Sequence, residues 1–297
     1  MSLKEELDPL WETAIVLAAT PIGNLADATD RLKQLITSAE TIACEDTRRT
    51  RHLIHALGLS TSARLVSLHE HNEASRAAEL VGQAQEGSRI LVVSDAGMPA
   101  VSDPGFRLTS AAINAGVGVT VAPGASAVTT ALALSGLATD RFTFAGFLPR
   151  KQSDRARLLE RLRGEDWTTV LFDSPRRISQ TVAEFAAALG ENRQAAVARE
   201  LTKKFEEVMR GSLGELAEQL QARAQSGLKG EFVLVLAGAA PGDSAGQQAP
   251  TVEELAVRVV ERAAVGEKLK AAAKEIGAAH GVPASQLYDA AVVLRRS

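Results

Sequence analysis

Three times in its first half the chain runs a short apolar stretch straight into a loop of glycine, proline and small residues. Ala14-Ile15-Val16-Leu17-Ala18 leads into ATPIGNLADAT (19–29), Arg89-Ile90-Leu91-Val92-Val93 into SDAGMPAVSDPG (94–105), and Val117-Gly118-Val119-Thr120-Val121 into APGASAVTTAL (122–132). Apolar runs without polar alternation are strands covered on both faces, as in parallel sheets flanked by helices. Helical patterns follow the loops: Asp27 or Thr29 is the candidate cap of a helix through Leu35, and Phe106 to Ala115 reads as a helix stopped by Gly116. Strand, loop and helix in that order dictate an α/β sheet, and its loops leave the carboxyl ends of the strands, where such sheets bind ligands. The 94–105 loop holds two Gly, two Pro, two Ser and two Asp in twelve residues, so its backbone lies bare. It fits either a seat for a flat or extended small molecule or a tight connection with no ligand. Three such loops at one sheet edge point to a shared pocket.

The chain has no GxxxxGK[ST], and Gly116-Val117-Gly118 lacks a third glycine and precedes a strand. A nucleotide-like ligand would therefore bind without a phosphate cradle, which favours a cofactor with no phosphates. At 297 residues and 45% hydrophobic content the chain can bury one large or two ordinary cores. No apolar run approaches the length of a membrane span and no secretory leader is seen; residues 1–13 read as a polar lead-in. The single cysteine, Cys44, excludes an internal disulfide framework and fits a reducing cytoplasm. A net charge of −3 argues against a uniformly basic nucleic-acid binder, so any such surface is local.

Local basic clusters do occur. CEDTRRT (44–50) is either a surface ion-pair cluster or a set in which Arg48, Arg49 and Arg51 face a polyanion while Asp46 orients them. His52, His55, His69 and His71 show no ligand spacing, so no metal centre is expected. RFTFAGFLPRK (141–151) reads as a hinge. Beyond it Arg150, Lys151, Arg155, Arg157, Arg161 and Arg163 face only Asp154 and Glu160, as a solvated helix or as a ridge for nucleic-acid phosphates. The second half repeats the alternation, with Thr169–Phe172 running into DSPRR (173–177), Ala195–Ala198 into RELTKKFEE (199–207), and a closing strand in KGEFVLVLAG (229–238). A second α/β domain with a mixed sheet follows. The expected organisation is an α/β domain over 14–138, a second over 139–240, a flexible linker over 241–251 and a helical extension over 252–297, broken at 281–284 in a helix-turn-helix-like manner. That extension suits a docking or capping module as well as a nucleic-acid reader.

ATPIGNLADAT, CEDTRRT, LHEHN, SDAGMPAVSDPG, APGASA, GFLPRK, SPRR, ARELTKKFEE and KGEFVLVLAG, from about Ile15 to Gly238, closely resemble in order and spacing the ribosomal RNA small subunit methyltransferase I family of the tetrapyrrole methylase superfamily. The resemblance implies two α/β domains of the tetrapyrrole methylase type with S-adenosyl-L-methionine in the interdomain cleft, plus a small C-terminal helical module, in a cytoplasmic homodimer. It also implies 2′-O-methylation of a decoding-centre cytidine of 16S rRNA, as naked rRNA or in the small ribosomal subunit. Carried onto this chain, the cofactor contacts are Pro21, Gly23, Asp95, Ala96, Gly97, Ala100, Val101, Ser102, Ser126, Ala127, Phe172, Leu201 and Gly230. The chain departs from the family pattern at Met98, Ala125, Cys44 and Asp173, where Thr, Pro, Ala and Glu are commoner. A ribose hydroxyl is a poor nucleophile and needs a base or a nearby cation. Asp46, Glu200 and Lys203 are the candidates, with Arg48 as phosphate or oxyanion partner; each equally fits a structural ion pair. Contacts to RNA are expected from Arg49, Arg51, Arg150, Lys151, Arg155, Arg176, Arg177 and Lys204, beside Arg48 and Lys203. Two other readings stay open: a methyltransferase of the superfamily acting on a tetrapyrrole or other small molecule, and a non-enzymatic RNA-binding protein.

Overall fold

The three apolar runs of the first half become the strands Ile15–Ala18 (β1), Ile90–Val93 (β4) and Val119–Ala122 (β5), and two further strands, Thr41–Cys44 (β2) and Arg64–Ser67 (β3), join them. They form a wholly parallel sheet in the order β3-β2-β4-β1-β5. The three inner strands are buried at every position, which is what a sheet covered on both faces requires. This computed structural model describes residues 10–11, 13–69, 71–225, 227–239, 251–264, 267–280 and 282–295.

On one face lie Asp30–Ser38 (α1) and Thr47–Ala56 (α2), whose Leu32, Leu35, Ile36 and Ile54 pack against Val16, Ile42 and Leu91. On the other lie Glu73–Gln85 (α3) and Phe106–Asn114 (α4), whose Leu80, Val81 and Leu108 pack against Ile15, Ala43 and Val92. Of the two candidate caps, Thr29 is the one used: its side chain accepts the Leu32 N–H at 3.0 Å. The chain leaves β1 toward one face and β4 toward the other, although the two strands are neighbours. Such a topological switch point opens a crevice at the carboxyl ends of both.

The α4 helix has Gly105 at its N-cap, so it lacks a side-chain cap of its own. Glu73, from the start of α3, fills that role. Its buried carboxylate accepts the N–H groups of Gly105 at 2.9 Å, Arg107 at 2.8 Å and Leu108 at 3.4 Å. Free amides and the positive end of the helix dipole make this a favourable place for a buried negative charge.

The second sheet consists of Phe142–Phe147 (β6), Thr168–Asp173 (β7), Gln194–Arg199 (β8), Glu207–Ser212 (β9) and Phe232–Leu236 (β10), ordered β6-β7-β10-β8-β9. Only the β6/β7 pair is parallel, so the sheet is mixed. Gln152–Arg163 (α6), Ile178–Leu189 (α7) and Leu213–Ala224 (α8) cover one face around Phe185 and Phe232. The opposite face is covered by Ala127–Ser135 (α5), which belongs to the first half of the chain: Val128, Ala131 and Leu132 meet Val170, Ala196, Val233 and Val235. The small residues that open α5 thus let it lie close on the second sheet. The two halves, expected as separate domains over 14–138 and 139–240, share this apolar layer, and the described residues up to Gly238 form one compact unit.

The other unit begins at Ala239. In it Val252–Ala264 (α9), Leu269–His280 (α10) and Ala284–Leu294 (α11) pack around Leu255, Val259, Ala273 and Leu287. Most of the expected linker over 241–251, most of the polar lead-in, and Gly281 of the expected break lie outside the described residues. Among the described residues no helix is long and apolar enough to cross a membrane.

Candidate active site

The loop after β4 is folded back and fastened to the loop after β1. Thr20 and Gly97 exchange backbone hydrogen bonds, Thr20 N–H to Gly97 O at 2.9 Å and Gly97 N–H to Thr20 O at 3.0 Å. The Thr20 hydroxyl donates to Ser94 O at 3.2 Å, and the Ser94 hydroxyl donates to Gly97 O at 3.0 Å. Gly97 takes φ +81°, and two residues with side chains, Ala100 at +67° and Ser102 at +60°, also sit in the left-handed region. Such conformations persist only where surrounding contacts impose them. Here the Ala100 N–H bonded to Pro104 O at 3.1 Å, and Glu73 bonded to Gly105, hold the turn closed.

Between this loop, the start of α5 and the second sheet lies a cavity of about 400 Å³. From the first half it is lined by Ile22, Glu45, Arg49 and residues 95–98, 101–103 and 126–128; from the second, by Phe147 and residues 172–175 and 230–233. Of the cofactor residues expected from sequence, Asp95, Ala96, Gly97, Val101, Ser102, Ser126, Ala127, Phe172 and Gly230 are in the lining. Pro21, Gly23, Ala100 and Leu201 are not. Leu201 is buried in the layer shared by the two halves, and Ala100 packs against the core under α3 and α4.

Gly23 has a packing reason to be glycine. A Cβ there would lie 2.4 Å from Lys203 Cγ, 2.9 Å from the Leu201 carbonyl and 2.9 Å from Thr202 Oγ1. The adjoining Asn24 N–H donates to Thr202 Oγ1 at 3.1 Å, so the 199–207 segment rests directly on the first loop. Gly23→Ala is expected to lower stability by about 1–3 kcal/mol through overpacking, read by urea denaturation. An unchanged midpoint would show that the contact yields freely.

Met98 and Asp173, departures from the family pattern expected near the pocket, are in the lining, whereas sequence reasoning missed Ile22 and Phe147 together with three carboxylates, Glu45, Asp103 and Glu231. Asp95 accepts the Asp46 N–H at 3.1 Å and pairs with Arg49 at 3.1 Å. Asp173 is buried and holds Arg177 at 2.7 Å, the Ser174 N–H at 2.8 Å and the Thr181 hydroxyl. Glu231 pairs with Lys203 at 3.1 Å. Burial, reinforced by the negative charges of Glu45 and Asp95, pushes the Asp103 carboxyl up to about 6 against the opposing influence of the polar Ser94 side chain. Burial and the Asp95 charge likewise raise Glu45.

The four catalytic candidates all lie outside the cavity lining. Asp46 caps α2, accepting the Arg48 N–H at 2.8 Å and the Arg48 guanidinium at 3.0 Å, and those hydrogen bonds pull its carboxyl down to about 2. Glu200 accepts from Lys203 Nζ at 2.9 Å and from the Glu231 N–H at 3.0 Å, and the lysine holds it below the usual carboxylate range. The structure therefore places each in an internal ion pair; Lys203 reaches the cavity wall only through Glu231.

A model of the Tetrapyrrole (Corrin/Porphyrin) Methylases matches residues 14–217. Over 283 residues, 95% of each chain, the sequence is 46% identical to the Ribosomal RNA small subunit methyltransferase I of Mycobacterium tuberculosis (strain ATCC 25618 / H37Rv). The chain belongs to that family. It is also 40% identical over 277 residues, 93% of each chain, to the protein of the same name from Halalkalibacterium halodurans. In fold it is similar to the uroporphyrin-III C-methyltransferase of Thermus thermophilus solved with S-adenosyl homocysteine, with a TM-score of 0.50 at 18% identity, covering 75% of this chain and 96% of that one.

For a methyltransferase of this family the basic residues divide into two groups. Arg49 lines the cavity, while Arg48, Arg51, Arg150, Lys151 and Arg176 are exposed, and Lys204 stands 5.6 Å over the Phe205 ring. Arg155 and Arg177 are held internally: Arg155 ties α6 to α7 through Glu184 at 3.3 Å, and Arg177 reaches Asp173 and, at 3.2 Å, the Leu148 carbonyl. Cys44, one of the departures from the family pattern, is buried in β2, and burial pushes its thiol up. Among the described residues no group of three or more His, Cys, Asp or Glu is arranged to hold a metal ion.

Proposed function

We propose that this protein transfers a methyl group from S-adenosyl-L-methionine to the 2′-hydroxyl of a decoding-centre cytidine in 16S rRNA. The observation that carries the reading is the cavity itself: its volume is that of a small-molecule site, and its walls combine bare backbone with acidic groups. Gly97 leaves room where a side chain would intrude, and no phosphate cradle is present. The carboxylates of Asp95 and Glu45 suit a ligand carrying sulfonium and ammonium charges. These features fit the cofactor, and Asp95, Ala96, Gly97, Val101, Ser102, Ser126, Ala127, Phe172 and Gly230 would hold it. Bound there, it supplies an electrophilic methyl group on positively charged sulfur. The chain's part is to align a ribose oxygen with that methyl group within roughly 3–3.5 Å, from which much of the rate derives. Calorimetric titration with S-adenosyl-L-methionine tests the cofactor assignment: saturable binding at one site per chain is expected, and no heat of binding would contradict it.

Arg49 brings positive charge to the cavity wall, Arg48 and Arg51 are exposed on the same helix, Arg176 is exposed directly after the lining residue Pro175, and Arg150 and Lys151 are exposed at the start of α6. Each cation that meets a phosphate contributes roughly 0.7–0.9 to the slope of log affinity against log salt. Converting Arg150 and Lys151 together to Ala is therefore expected to flatten that slope by about 1.5 in filter binding to small-subunit RNA. An unchanged slope returns this helix to the role of a solvated surface. The expected cytoplasmic homodimer belongs to the same proposal, supported by the exposed Phe106 and Ile113, which lie two turns apart on α4 and form an apolar face open to a second copy.

A further inference from the structure

Five carboxylates line the cavity, and three of them are already committed. Asp95 is paired with Arg49, Asp173 with Arg177 and Glu231 with Lys203. Glu45 and Asp103 enter no ion pair among the described residues. Asp103 is also the one carried by the closed turn, directly after the left-handed Ser102 and just ahead of Gly105, whose N–H is fixed by Glu73. Its carboxylate is thus part of the cavity wall, held by a turn that cannot relax locally, with acceptor capacity to spare.

We propose that Asp103 is the proton acceptor for the attacking 2′-hydroxyl, a role that rests on the reading of this cavity as the methyl-transfer site. Asp103 takes the hydroxyl proton while the oxygen–methyl bond forms and the methyl–sulfur bond breaks; the electron pair of the broken bond stays on sulfur, which becomes neutral. Asp46, Glu200 and Lys203 are occupied by one another or by Arg48 and lie outside the lining, so none competes for this place.

The groups around Asp103 tune it for the task. Burial comes first, then repulsion from Glu45, opposed by the polar Ser94 side chain, then repulsion from Asp95, which is itself paired with Arg49; Asp173 and Glu231 line the cavity from the second half, each beside its own cation. With its carboxyl raised to about 6, Asp103 is deprotonated at neutral pH and yet a stronger base than an ordinary aspartate. The sign for stability is fixed by the same shift. The folded state keeps this proton to a higher pH than the unfolded chain does, so wild-type stability falls as pH rises from about 4 to about 6 and is level above.

Asp103→Asn in the full chain tests the proposal. At saturating cofactor, kcat for transfer to small ribosomal subunits is expected to fall by about 10²–10⁴-fold. The acidic limb of the wild-type pH profile should vanish with it. Without any activity measurement, the variant should melt at a higher temperature than wild type at pH 7.5 and at the same temperature below about pH 4. A carboxyl carbon titration of the wild-type protein by NMR should place Asp103 at the pH of the kinetic limb. Retention of kcat within about threefold while wild type is active, or a limb that persists in the variant, overturns the role of Asp103 and leaves the proposed function standing. Absence of transfer by wild type itself overturns both.

Discussion

Glu73→Ala is expected to destabilise the protein by about 3 kcal/mol, because it leaves backbone donors at the start of α4 buried without a partner. The Glu73 carboxylate accepts three N–H groups there, and α4 has no side-chain cap to take over. The loss would reach the cavity, since one of the three donors is Gly105, the end of the turn that carries residues 101–103 of the lining. Methyl transfer should therefore fall further than the fraction of unfolded chain explains. Glu73→Gln keeps one amide oxygen in the same place and should lose about 1 kcal/mol, the difference between a charged and a neutral acceptor. Urea denaturation of the three proteins reads this directly. A Glu73→Ala midpoint within error of wild type would show that water replaces the carboxylate, and that the turn is held by other contacts.

Gly97→Val is expected to abolish cofactor binding in practice, with at least a ~10²-fold loss of affinity and a matching loss of transfer. Three effects act together. Valine is β-branched and disfavours the φ of +81° found there; its Cβ would start 3.2 Å from Ile22 Cγ2; and its two methyl groups would occupy space between the loops after β1 and β4. Both backbone bonds between Thr20 and Gly97 depend on that same conformation. The folding penalty, about 1–3 kcal/mol, is small enough to leave a folded variant for calorimetry. Binding within about threefold of wild type would place the cofactor away from this loop.

The first sheet was legible because its central strands β1 and β4 are apolar at every position and the loops that follow them are punctuated by Gly and Pro, so strand, face and ligand edge are all encoded locally. β9 was not, since Glu207–Ser212 holds only Val208 and Met209 as large apolar residues and lies at an edge, where one side needs no partner strand. The shared apolar layer was equally hidden: the small, apolar α5 shows no preferred face, and the surface it covers is composed of residues from 170 onward. At the site, bare-backbone positions such as Gly97 and Ala127 could be carried over from the family motifs, whereas charged positions could not be ranked. Asp46 and Arg48 are neighbours in sequence and visibly able to pair. Nothing in the sequence shows that Arg155 finds Glu184, that Arg177 turns inward to Asp173, or that Asp103 faces Glu45. Those contacts decide which charges are free to meet a substrate, and they are set by tertiary packing.

The most direct test of the account is to incubate the protein and S-adenosyl-L-methionine with small ribosomal subunits that lack the modification, and in parallel with naked 16S rRNA. The RNA is then digested to nucleosides for mass spectrometry. The account predicts 2′-O-methylcytidine in at least one of the two substrates, absent when the Gly97→Val protein is used. A methyl group on a base or on a different nucleoside, or no methyl group although the cofactor binds, would contradict it.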